Sequence, residues 1–109
     1  MAHDEGLAQI LRDHLAGLDG ITERRMFGGL CFMRHGHMIC GVHAGGGMAR
    51  VGKAAEPAAL TIPGVAPLSF TGRPMGGCVD MADETLADDV LRTRLLDLAL
   101  AHVATLPPK

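Results

Sequence analysis

Five side chains able to bind metal or undergo redox chemistry fall in one short stretch: Cys31, His35, His37, Cys40 and His43, with Cys78 further along. Zinc needs thiolates and imidazoles that converge tetrahedrally at about 2.0–2.3 Å. The spacing here matches no zinc motif. His35-Gly36 resembles a two-residue hairpin turn, in which glycine accepts a positive backbone angle. Counting outward from it, Arg34 faces His37, Met33 faces Met38, Phe32 faces Ile39 and Cys31 faces Cys40. That last position is a non-hydrogen-bonded pair with alpha carbons about 4.5 Å apart. Cys31 and Cys40 are therefore a candidate redox pair, at the short, strained edge of disulfide geometry. Strand alternation sends His37 and His43 to the face away from Cys40, and His35 sits at the turn tip. The set does not converge, so no metal is expected. Three cysteines are also too few, and odd in number, for a disulfide framework; small buried apolar side chains in a reducing compartment are the plainer reading.

Arg24, Arg25, Arg50 and Arg73 form a candidate interaction surface. Alternation puts Arg24 and Arg25 on opposite sides of a strand, so only one of them can face the core-covered side. Residues 22–53 hold Arg24, Arg25, Arg34, Arg50 and Lys53 against Glu23, whereas both ends of the chain are acidic. An exposed basic patch on a free sheet face suits DNA phosphates or an acidic protein surface; ordinary solvated charge is the competing explanation. Three Phe and no Trp or Tyr leave little for base stacking, and a net charge of −2 is unlike a nucleic-acid clamp. His14 and His102 lie on apolar helix stripes with no nucleophile beside them, and read as core-margin histidines. Gly45-Gly46-Gly47 joins two strands rather than opening a helix, which argues against a phosphate cradle. Asp80, Asp83 and Glu84 have no partner placed for acid–base chemistry.

These side chains need a scaffold, and 109 residues (11.4 kDa) allow one domain, residues 1–109. Leu7, Ile10, Leu11, Leu15 and Leu18 make a helical stripe over residues 4–18. Residues 23–34 read as one strand bent at Gly28-Gly29, followed by strands at 37–43 and 48–52. A short helix within 53–60 starts late because of Pro57. A second hairpin pairs 67–70 with 74–81 around Thr71-Gly72, with Phe70 opposite Arg73 and Pro74 at an edge. Leu91, Leu95, Leu98, Ala99, His102 and Leu106, widened by Leu96 and Val103, mark a last helix that begins within 83–88 and ends at Pro107-Pro108. The order α-β-β-β-α-β-β-α predicts an α+β fold, with about five antiparallel strands and helices on one face. No apolar run reaches the roughly 18–20 residues of a membrane span. The acidic amino end is unlike a secretory signal, so a cytoplasmic location is expected.

Arg24-Arg25-Met26-Phe27-Gly28-Gly29-Leu30 resembles the opening motif of the TfoX/Sxy N-terminal domain family. Met38-Ile39-Cys40-Gly41-Val42, Met48-Ala49-Arg50-Val51-Gly52 and Phe70-Thr71-Gly72-Arg73-Pro74-Met75 look like its later blocks in the same order, and Leu106-Pro107-Pro108-Lys109 like the terminus of stand-alone members. The likeness spans Leu7 to Lys109. It implies a secretion-chaperone-like α+β domain with no catalytic residues and no cofactor. The family's named members are bacterial competence regulators that work with a cyclic-AMP-responsive transcription activator. They carry a second, carboxyl-terminal domain not represented in these residues. Gly76-Gly77-Cys78-Val79 departs from relatives that often have a bulky aromatic there.

The resulting expectation is a cytoplasmic, non-enzymatic interaction domain, linked to transcription through an unidentified protein partner. Self-association through a sheet edge to a homodimer is part of it. The domain alone is not expected to bind nucleic acid tightly. The alternatives are a thiol- or metal-responsive module using Cys31 and Cys40, and weak DNA binding through residues 22–53.

Overall fold

The computed structural model describes residues 5–26, 29–43, 46–68 and 76–107. Helix α1 (Glu5–Leu15) buries Ala8, Leu11 and Leu15, three- and four-residue spacings that form one face. Glu5 in its first turn suits the positive end of the helix dipole. Gly17 and Gly20 then turn the chain at φ +92° and +74° into the sheet. Six strands follow: β1 (Ile21–Met26), β2 (Gly29–Arg34), β3 (His37–His43), β4 (Gly46–Arg50), β5 (Val65–Pro67) and β6 (Cys78–Met81). They lie in the order β1-β2-β3-β4-β6-β5, and every neighbouring pair is antiparallel. Helices α2 (Glu56–Ala59), α3 (Asp83–Ala87) and α4 (Asp89–Ala104) complete the order. Leu11 and Leu15 of α1, Leu86 of α3, and Leu95, Leu96, Ala99 and Val103 of α4 share one core with Phe32, Ile39, Cys40, Val42, Ala49, Val79 and Met81. The α+β architecture with helices against one sheet face is thus as expected.

The strand count is not. In place of the one bent strand expected over 23–34, β1 and β2 are two strands paired antiparallel, with Ile21 opposite Arg34 and Met26 opposite Gly29. The glycine at 29 answers to crowding: a Cβ there would collide with the carbonyl of Val42 on β3. Two strands in place of one bring the sheet to six.

The turn at His35-Gly36 forms as expected, with φ +52° and +86°, the signature of a tight primed turn. Arg34 faces His37 and Met33 faces Met38, but then Phe32 faces Cys40 and Cys31 faces Gly41. Ile39 is the extra residue of a bulge. Its cause is core demand, since Ile39 and Cys40 both enter the helix-covered core.

The second hairpin also differs. Val65 pairs with Met81 and Pro67 with Val79, a register three residues from the expected one, and the strands are short. The turn at Thr71-Gly72, the Phe70–Arg73 pair and the Pro74 edge lie outside the described residues. At the start of β4, Gly46 and Gly47 are strand rather than loop. A Cβ at Gly47 would sit 2.6 Å from Cδ1 of Leu86, so its bareness admits α3. As expected, Pro57 stands at the start of a late, short α2. The terminal helix is broken at Asp88, whose extended backbone ends α3 while its carboxylate accepts from the Val90 and Leu91 amides to start α4. Among the described residues, no helix is long and apolar enough to cross a membrane.

Candidate functional site

The sheet face turned away from the helices collects several of the side chains singled out for chemistry. Arg24 pairs with Cys31, Cys31 with Gly41, Gly41 with Met48, and Met48 with Asp80. Directly paired residues share a face, so Arg24, Cys31, Met48 and Asp80 run across it in one row. Arg50, two residues beyond Met48 and opposite Cys78, lies on the same face. Arg24 is exposed and Arg50 half-buried. Three strand spacings separate them, about 15 Å.

The one carboxylate in that row is occupied. Asp80 Oδ1 lies 2.8 Å from Nε2 of His43, across β4. Neither Arg24 nor Arg50 forms an ion pair among the described residues, in contrast to Arg12 with Glu23 (2.6 Å) and Arg34 with Asp19 (2.8 Å). Arg25 pairs with Leu30 and faces the helix side, exposed at the edge. Arg73 lies outside the described residues. Of the four arginines singled out by sequence, the fold therefore places Arg24 and Arg50 on one face, three strands apart, and sends Arg25 to the other.

The redox pair does not assemble. With Phe32 opposite Cys40, Cys31 points to the opposite face: Cys40 belongs to the helix-covered core, and Cys31 to a second cluster with Met48, Leu68 and Cys78. Cys78 offers no substitute partner. β3 and β4 separate β2 from β6, which spaces their backbones by about 14 Å, twice the reach of a disulfide. Burial pushes all three thiols above the ordinary value, so they stay protonated and make weak nucleophiles and ligands. Among the described residues, no group of three or more His, Cys, Asp or Glu is placed to hold a metal. The bulge also reverses His37. Its Nε2 lies 2.7 Å from the Pro107 carbonyl just past α4, on the helix side with Cys40, whereas His43 does take the other face.

One polar cluster was invisible from sequence. Arg92, only 9 % exposed, donates from Nε to Nδ1 of His14 (3.0 Å), from Nη1 to the Leu86 carbonyl (2.9 Å) and from Nη2 to Oδ1 of Asp89 (2.7 Å). It ties α1, α3 and α4 together and satisfies a carbonyl at the end of α3. A cleft of about 330 Å³ opens beside it, lined by Ile10, Asp13, His14, Ala87, Asp89 and Arg92. His14 is the core-margin histidine that its stripe position suggested, and Arg92 is its hydrogen-bond partner. Arg92 gave no warning, because one Arg in an apolar stripe looks like a solvated side chain until a neighbouring helix closes over it.

A family model described as the TfoX N-terminal domain matches residues 13–103. No curated protein and no solved structure matches the chain.

Proposed function

This chain belongs to the TfoX N-terminal domain family, and from that premise we propose that it is a non-enzymatic interaction domain that captures a transcription-related protein through the helix-free sheet face. The observation that carries this reading is the pairing state of the arginines. Arg24 and Arg50 point from one face with no carboxylate partner among the described residues, while Asp80 beside them is held by His43. A guanidinium presents five donors in a planar fork that fits carboxylates bidentately, so an acidic surface on a protein partner is the matching ligand. Its approach would be steered by charge and weakened by salt. The buried, protonated thiols favour binding over catalysis.

Affinity capture from the native host tests the reading. The double reversal Arg24→Glu with Arg50→Glu should lose protein partners that the parent chain retains. Arg94→Glu, an exposed change on α4, should retain them. Equal capture by all three folded baits would refute the assignment.

A further inference from the structure

We propose that two copies of this chain pair antiparallel through β1, about a two-fold axis at Arg24, to form one continuous sheet. The inference stands apart from the identity of any captured partner, because it uses the strand edge and not the sheet face.

The sheet has two edges, β1 and β5. β5 is three residues long and ends in Pro67, which has no N–H to offer. β1 is six residues long, and Thr22, Glu23, Arg24 and Arg25 are all exposed. Its outward backbone groups follow from the ladder. The His35 amide donates to the Gly20 carbonyl at 3.0 Å, which makes Gly20 and His35 a hydrogen-bonded pair. Such pairs alternate along an antiparallel ladder. Thr22, Arg24 and Met26 therefore bond to β2, and Ile21, Glu23 and Arg25 turn their N–H and C=O groups to the open side.

A second copy that extends the sheet must keep helix-side residues opposite helix-side residues, so the axis must pass through a residue and not between two. Centring on Glu23 opposes two carboxylates, and centring on Arg25 opposes two guanidiniums. Centring on Arg24 sets Glu23 of each copy opposite Arg25 of the other, twice. Those are also residues whose backbone groups point outward; the outward hydrogen bonds form in every register with the axis through a residue, so charge pairing selects this one among them. Opposite-charge cross-strand pairs stabilise and like pairs destabilise; two favourable pairs outnumber the single Arg24–Arg24 contact at the axis. Arg12 already fixes the Glu23 carboxylate through both oxygens, at 2.6 and 2.8 Å. Edge charges commonly serve to block pairing, but a strand with Glu and Arg two residues apart is complementary to itself in this register.

Sedimentation velocity on the full chain tests the proposal. The parent should sediment as a dimer that dissociates on dilution. Glu23→Arg alone sets Arg against Arg, and Arg25→Glu alone sets Glu against Glu. Each should weaken association by roughly tenfold or more, with an unchanged circular dichroism spectrum. An equimolar mixture of the two variants should dimerise again. In the mixed dimer one copy carries arginine at both positions and the other glutamate at both, so each cross-strand pair is again opposite in charge. A monomeric parent, single variants that dimerise as well as the parent, or folded variants whose mixture stays monomeric would each overturn it.

Discussion

The buried guanidinium of Arg92 shows how much one side chain can organise. Its donor to Nδ1 of His14 requires that ring nitrogen to be unprotonated, which places the neutral imidazole's proton on Nε2. Burial first, and the Arg92 charge second, hold His14 below its ordinary value of 6.5, against the opposing pull of Asp97 and Asp89. A proton on Nδ1 would remove the acceptor and set two cations in contact. As the pH drops, the unfolded chain therefore takes up this proton before the folded one does. The stability from this site is complete above the ordinary histidine value and is lost as the pH falls through it toward the depressed folded value. Urea unfolding at about pH 8 and about pH 5 should show the parent losing stability on acidification. His14→Gln, which keeps a polar acceptor without the titration, should lose less, and an equal loss in both would contradict the assignment.

At the scale of elements, the sequence was legible where periodicity or turn chemistry acted alone. The stripes of α1 and α4, the His35-Gly36 turn and the late start of α2 at Pro57 all follow from local rules. Gly28-Gly29 misled because a glycine pair signals a bend, a turn or a close approach alike; the pairing of Met26 with Gly29 shows two antiparallel strands, and the Val42 carbonyl adds a close approach at Gly29. The bulge at Ile39 has no local signature. It arises because two consecutive residues of β3 are needed in one core, and it separates Cys31 from Cys40. Gly41 in the same strand is set by a close approach too: a Cβ there would lie 2.7 Å from the Leu30 carbonyl and 3.1 Å from Cε of Met48. Gly41→Ala should therefore cost about 1–3 kcal/mol, read as a lower urea midpoint with unchanged slope. A neutral result would show that β2 and β4 yield more readily than their packing implies.

Across the whole molecule, the helices occupy one face of the sheet and leave the other to a sulfur-rich cluster flanked by Arg24 and Arg50. The family was legible because its words occur in order along the chain, and the match over residues 13–103 agrees with them. The split of the arginines between faces was only half legible. Alternation separated Arg24 from Arg25, but joining Arg24 to Arg50 required the pairing of four strands. If β1 also pairs with a second copy, the two Arg24 side chains meet at the axis and the basic face becomes twice as wide.

Site-specific photo-cross-linking in the native host tests the recognition surface most directly, with a benzophenone side chain at Met33, on the helix-free face, or at Thr93, exposed on α4. Adducts to a different protein from position 33 and none from position 93 are the predicted result, with adducts to a second copy of the chain scored separately by mass. Adducts from position 93 alone would place recognition on the helices and contradict the account.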